Sequence, residues 1–380
     1  MQNFHYYNPT RVVFGQGAIA KLSELTPRDG KVLLLYGGGS ILRNGVYAQV
    51  TAALTGYDLC EFGGVEPNPS LAICLRATAV CRAENVAFIL AVGGGSVIDA
   101  AKFIAAAACF EGDDPWRICT SGGRAIKAML PLGVVLTLPA TGSESNSGAV
   151  ISHTEKQEKR AFGSPLAFPR FAILDPTVTV SLPAKQVRNG IVDAFVHVCE
   201  QYVTSYTAAP LPDRLAEAIL QTLVERGPVT LAAPGDYAAR ADLMWSATLA
   251  LNSLIGMGVP HDWATHMIGH ELTALYGLDH AETLAVVLPG VWRDQLERKQ
   301  AKLAQLGRRV FDVDGADAAI AAVEAFFHAL AMPTRLGHYG IDAGEAATRI
   351  AERFTARKTM LGEHRDIAQD AVRAILAARQ

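Results

Sequence analysis

The chain has 380 residues, half of them hydrophobic and 19% charged, with a formal net charge of −3 and a pI near 6.4. This is material for about two domains of ordinary size, and it argues against wholesale disorder. The mildly acidic balance offers no basic face for nucleic acid. The N-terminus has no basic segment followed by an apolar one and no stretch reads as a membrane span, so a cytoplasmic protein is expected.

Taken in order, the first half alternates short β-rich runs with helical segments, the pattern of a parallel sheet covered by helices. Thr10–Phe14 reads as a first strand. Lys31–Tyr36 is a continuous apolar run of strand length, followed at once by Gly37-Gly38-Gly39-Ser40. Ala87–Val92 repeats the arrangement with Gly93-Gly94-Gly95-Ser96 after it, and Gly133–Pro139 leads into Ala140-Thr141-Gly142-Ser143-Glu144. Three such turns at the carboxyl ends of adjacent strands would line one crevice, the place where open α/β sheets bind ligands. In the middle turn, Ser96 is expected to cap the next helix, with Asp99 completing a capping-box-like start. Backbone N–H groups there suit an anion such as a pyrophosphate. One Gly-Gly-Gly-Ser turn alone could equally be a tight strand-to-helix connection; two copies beside a Thr-Gly-Ser-Glu turn favour a nucleotide. Neither copy is a Gly-x-Gly-x-x-Gly fingerprint or a Walker A loop, so the pattern does not name the nucleotide.

After Leu182-Pro183 the periodicity becomes helical, as in Arg214–Leu223 and Ala316–Leu330. We therefore expect an α/β domain over residues 1–183 and an all-helical domain over 184–380. The uncharged run Leu243–Pro260 is broken by Asn252, Ser253, Gly256 and Gly258 and reads as a buried helix rather than a membrane span. The six cysteines form no Cys-x-x-Cys pair and read as reduced, mostly buried small hydrophobes.

The helical half carries the densest chemistry. Four of the ten histidines, His261, His266, His270 and His280, fall within twenty residues. His266 and His270 are four apart and share a helix face, and His280 follows a Tyr-Gly-Leu-Asp turn that can fold back over that face. Upstream, Asp193 and His197 have the same spacing in a helix apolar nearly all round. A lone buried histidine is usually a core residue, and an Asp four before a His can be an ordinary helix pair. Burying a carboxylate without a partner is costly, however, which makes a cation its natural companion. The two stretches together read as one metal site.

These residues, from Pro9–Gly15 through Gly93–Asp99 and Leu138–Glu144 to the Asp/His set, resemble the iron-containing alcohol dehydrogenases, in their NADPH-dependent aldehyde reductase and butanol dehydrogenase branch. The resemblance implies a Rossmann-like dinucleotide-binding domain followed by an all-α metal-binding domain, the dehydroquinate synthase-like fold. It implies metal ligands at Asp193, His197, His266 and His280, with His270 a polar active-site residue beside the nicotinamide. Cofactor contacts would fall on Gly94, Gly95, Ser96, Asp99, Thr137, Thr141 and Ser143, and on Lys159, although Arg160 next to it competes for that role. NAD-using members carry an aspartate at the end of the first nucleotide strand. This chain has Gly37 there, within the small turn Gly37, Gly38, Gly39 and Ser40 and with Arg43 nearby, which favours NADP(H). The implied reaction is reversible reduction of aldehydes to primary alcohols, by hydride transfer from NADPH to a metal-polarised carbonyl. A mixed carboxylate and imidazole set suits several divalent ions, iron and zinc foremost. A homodimer is expected, with a small aldehyde or alcohol as substrate; Leu254 and Trp263 are apolar candidates for its pocket.

Readings of other classes compete. A dehydroquinate synthase-like lyase would need a basic pocket for a substrate phosphate, and His261–His280 contains no Lys or Arg. A glycerol dehydrogenase-like enzyme would share the fold. A noncatalytic metal-binding protein would have little use for two glycine-rich nucleotide turns.

Overall fold

The structure, a computed structural model, describes residues 1–206 and 208–380. They form two compact units, one of Tyr7–Pro183 with Pro234–Thr248, the other of Met1–Tyr6, Ala184–Ala233 and Leu249–Gln380.

The first unit is built on a six-stranded sheet: β1 (Arg11–Phe14), β2 (Lys31–Gly37), β3 (Leu59–Val65), β4 (Val86–Gly94), β5 (Leu132–Leu138) and β8 (Phe171–Leu174). Its order is β1-β8-β5-β4-β2-β3, and every pairing is parallel. A separate antiparallel hairpin pairs β6 (Gly148–His153) with β7 (Glu158–Gly163). The central strands are apolar without interruption because both sheet faces are covered. Leu33, Leu35, Ile89, Ala91, Val134 and Leu136 pack into one core, whereas Val32, Leu34, Phe88, Leu90, Val92 and Val135 pack into the other. Successive strands run from β2 to β3 on one side and then cross to β4 on the other, so the strand order reverses between β2 and β4. Ligands of open α/β sheets bind at such a switch point, beyond the carboxyl ends of the strands. Both Gly-Gly-Gly-Ser turns lie there.

The second unit is helical. Ala184–Tyr202 carries Asp193 and His197, Ala264–Tyr276 carries His266 and His270, and His280–Asp294 begins with His280. Ala264, Ile268 and Leu272, one helical turn apart, enter a core that also holds Val286, Val287, Val291 and Phe354. Among the described residues, no helix is long and apolar enough to cross a membrane.

Two expectations change. The run Leu243–Pro260 is helical only to Ala250, in Tyr237–Ala250, and the chain from 251 to 263 is irregular. Ser253 and Gly258 take left-handed φ angles of 76° and 74° there, which an α-helix does not accommodate. Residues 234–248, read from the sequence as part of the helical half, pack instead with the α/β unit. The apolar surface of this segment explains the placement: Met244 joins one of the sheet cores and the Trp245 ring meets Phe14 edge-on at 6.1 Å.

Candidate metal centre and nucleotide turns

The cluster Asp193, His197, His266 and His280 is assembled from three helices. Two of these are brought close by Gly269, where a Cβ would lie 2.6 Å from Thr283 Oγ1; only a glycine allows that approach of Ala264–Tyr276 to His280–Asp294. Between them Gly277 closes the first helix at φ 71°, and Asp279 with Glu282 makes a capping box for the second. Lys185 Nζ, 2.8 Å from Asp279 Oδ2, and Asn189 Nδ2, donating to the same oxygen at 3.1 Å, tie that capped turn to the helix of Asp193.

Each of the four residues offers one donor atom, and these atoms all lie within 4.8 Å of one another. Four donors this close around one point could be drawn in to hold a single divalent ion. Asp193 Oδ1 is 3.6 Å from His197 Nε2 and 3.7 Å from His280 Nε2, longer than hydrogen bonds and suited to a shared cation. Asp193, His197 and His266 are buried, and His280 is half-buried. One carboxylate and three imidazoles leave a divalent ion with net positive charge. His270 is buried close by, its ring 5.4 Å from that of His280 and 6.5 Å from that of His266, and it stands outside the four-residue cluster.

Sequence reasoning missed Glu200. Its carboxylate meets His266 Nδ1 at 2.6 Å and accepts the Thr265 N–H at 2.8 Å. A proton on Nδ1 leaves the lone pair of His266 on Nε2, the arrangement by which outer carboxylates orient metal-bound imidazoles. Burial pushes the Glu200 carboxyl up, with the neighbouring Asp262 charge adding to the effect and bonds from Thr265 and His266 opposing it. The signal was present in Asp193-x3-His197-x2-Glu200, a third polar residue in the otherwise apolar run 190–200.

In the α/β unit the middle turn differs from its expected capping. The helix after β4 is Gly95–Ala108, its N-cap is Gly94, and no side chain caps it. Ser96 already lies inside the helix, where its Oγ accepts the Asn68 N–H at 3.3 Å. The glycines are required by packing. A Cβ on Gly93 would lie 2.5 Å from Val97, one on Gly94 2.9 Å from Leu138, and one on Gly95 2.5 Å from Thr141. The helix therefore starts tight against the β5 turn, and its first N–H groups have neither intrahelical acceptors nor a side-chain cap, which suits an anion.

Asp99 is half-buried and accepts from Ser143 Oγ at 2.7 Å and from the Val150 N–H at 2.9 Å. Lys102, fully buried and not singled out from the sequence, donates to Ser143 Oγ, Asn146 O and Gly148 O at 2.7–2.9 Å. Burial pushes its ammonium down to about 8, against the pull of Asp99 and Glu144. Thr137 is buried at the end of β5, and Thr141 Oγ1 accepts the Ser143 N–H at 3.2 Å. Lys159 Nζ donates to Asn68 Oδ1 at 2.7 Å, joining it through Asn68 to Ser96, while the Arg160 guanidinium pairs with Glu158 at 2.8 Å. Gly37 ends β2, Gly39 has φ 87°, and Ser40 opens the short helix Ser40–Arg43.

Comparison with known proteins agrees with this anatomy. Residues 9–176 match the iron-containing alcohol dehydrogenase family, and residues 188–380 match the C-terminal part of the Fe-containing alcohol dehydrogenase family. The chain is 52% identical to the NADPH-dependent aldehyde reductase YqhD of Escherichia coli, over 100% of both chains. It is 43% identical to the probable NADH-dependent butanol dehydrogenase 1 of Bacillus subtilis, again over 100% of both. The crystal structure of YqhD from E. coli K-12 superposes with a TM-score of 0.98 at 52% identity, covering 100% of this chain and 99% of that one. With matches of this extent in both halves, the chain belongs to the iron-containing alcohol dehydrogenase family.

Proposed function

We propose that this protein is a metal-dependent, NADPH-linked aldehyde reductase that converts aldehydes to primary alcohols reversibly. The observation that carries the reading is the buried set of one carboxylate and three imidazoles within 4.8 Å, in a chain 52% identical end to end to an NADPH-dependent aldehyde reductase. When bound, a divalent ion, iron or zinc foremost, supplies Lewis acidity toward a carbonyl oxygen, and NADPH supplies the hydride. Asp193, His197, His266 and His280 hold the ion. Glu200 keeps His266 in the tautomer that can ligate, and burial of the cluster strengthens every charge interaction within it. His270, close to the ligands but not one of them, moves a proton to or from the substrate oxygen.

In the α/β unit, the N–H groups at Gly95 and Ser96 and the glycine surface of Gly94 receive the pyrophosphate. Asp99 and Ser143, bonded to each other, brace the β5 turn from below, and Thr137 and Thr141 lie along the nucleotide. Lys159, through Asn68, reaches the ribose side. Gly37, Gly38, Gly39 and Ser40 form the pocket for the 2′-phosphate. Coenzyme choice does not follow from family membership, since the Bacillus relative is named for NADH; it follows from the absence of a carboxylate at Gly37. We place the protein in the cytoplasm as a homodimer.

The test is consumption of NADPH, followed at the nicotinamide absorbance band, with a panel of added aldehydes. Net consumption that depends on the aldehyde supports the reductase. A noncatalytic metal-binding protein or a lyase that recycles its bound nucleotide gives none.

A further inference from the structure

The N-cap position of the helix Ala264–Tyr276 is occupied by Trp263, with φ 63° and ψ 6°. Both features are unfavourable. An N-cap ordinarily supplies a short oxygen-bearing side chain, and a bulky residue with left-handed backbone is strained. The surroundings fix this conformation from both sides. The Asp262 N–H donates to the Glu200 carbonyl at 2.9 Å, Asp262 Oδ1 accepts the Ala264 N–H at 2.9 Å, and Lys299 Nζ stands 2.8 Å from Asp262 Oδ2. The capping task falls instead to Glu200, from the helix Ala184–Tyr202, whose carboxylate accepts the Thr265 N–H at 2.8 Å and the His266 N–H at 3.4 Å.

Strain that is over-determined next to a reactive centre is a reason to ask what the side chain does there. The Trp263 ring is half-buried. Its centroid lies 5.2 Å from that of His266 at an interplanar angle of 73°, and 6.3 Å from that of His197 at 61°. A third edge contact is made to His261 at 5.9 Å. The indole is thus a rigid, flat surface standing beside two of the three cluster imidazoles. A short capping residue at the same place would leave that side open.

We infer that Trp263 is a specificity-determining residue: its indole is a wall beside the metal cluster that accepts an unbranched carbon chain and excludes aldehydes branched next to the carbonyl. The inference rests on the aldehyde-reductase reading. It is tested with the metal-loaded full chain and the variants Trp263→Gly, Trp263→Asn and Trp263→Phe. Catalytic efficiency is measured for butanal and 2,2-dimethylpropanal, together with metal content and melting temperature. The wild type should favour butanal. The glycine and asparagine variants should raise the efficiency ratio of 2,2-dimethylpropanal to butanal by about tenfold or more, mainly through KM, with metal content unchanged. Phe should change the ratio less. Asn tolerates left-handed backbone and brings a capping oxygen, so failure of the glycine variant to fold leaves the test intact. No turnover of either aldehyde by the wild type overturns the reductase reading for these substrates. Wild-type turnover with an unaltered ratio in folded, metal-loaded variants overturns the wall alone.

Discussion

Asp193 is 4% exposed, in a helix that buries Ile191, Val192, Ala194, Phe195 and Val196 around it. A carboxylate so placed is costly unless a cation neutralises it. Removing its charge, as in Asp193→Asn, or one imidazole, as in His197→Ala, should abolish stoichiometric metal and turnover together while leaving NADPH affinity largely intact. Metal analysis and a nucleotide titration on the same preparations check this, and full metal content in the His197 variant would refute the assignment. His270→Ala should keep the metal and lose about a hundredfold in turnover, the usual worth of one proton-transfer group; stoichiometric metal loss would instead make His270 a ligand. Gly37 is a different kind of test. A Cβ there would lie 3.2 Å from the Val65 carbonyl oxygen and 3.5 Å from Val97, a tight but negotiable fit. A carboxylate near a 2′-phosphate repels it by a few kcal/mol in a partly dry crevice, on the order of a hundredfold in affinity. Gly37→Asp should therefore lower the NADPH to NADH ratio of catalytic efficiency by about that factor, and an unchanged ratio would place discrimination elsewhere.

The helix Ala264–Tyr276 does several jobs at once, which explains its composition. Ala264, Ile268 and Leu272 face the core, His266 and His270 are presented to the cluster, and Gly269 admits the neighbouring helix. Glu271 is 3% exposed and pairs with Arg353 and Arg357, whose side chains are 22% and 24% exposed. Because both guanidinium groups can still reach water, Glu271→Ala should cost about 2 kcal/mol rather than the full penalty of breaking a buried pair. The loss should appear in denaturant unfolding with the metal retained in buffer; undiminished stability would mean that these pairs contribute nothing. Elements were legible where one physical demand dominates. The continuous apolar runs of β2, β4 and β5 announce strands buried on both faces. By contrast, β3 contains Glu61, Gly63 and Gly64 at the sheet edge, and the longest apolar run in the hairpin β6/β7 is 149–151, against Glu158-Lys159-Arg160 in β7, so neither shows a run of strand length. Ser96 satisfied the pattern of a cap, but close packing of Gly94 and Gly95 against the β5 turn starts the helix before it.

For the molecule as a whole, the proposed nucleotide turns lie in the α/β unit and the candidate metal cluster in the helical unit. A hydride transfer needs both. The i, i+4 spacings of Asp193/His197 and His266/His270 made a metal region readable because each pair is local in sequence; the choice of His280 over His270 as a ligand came from the family resemblance. Lys102, the partners of Glu200 and the strained backbone of Trp263 were not legible because they depend on residues far along the chain, Lys102 on Ser143 and Asn146, Glu200 on Thr265 and His266. The proposed reductase activity depends on this cluster holding a metal ion. The most direct measurement is aldehyde-dependent NADPH oxidation by protein stripped of metal with a chelator, verified metal-free, and then reloaded with Fe(II) or Zn(II). The stripped protein should bind NADPH yet show no turnover, and activity should return in step with one ion per chain. Undiminished turnover by metal-free protein, or none after stoichiometric reloading, would contradict the account.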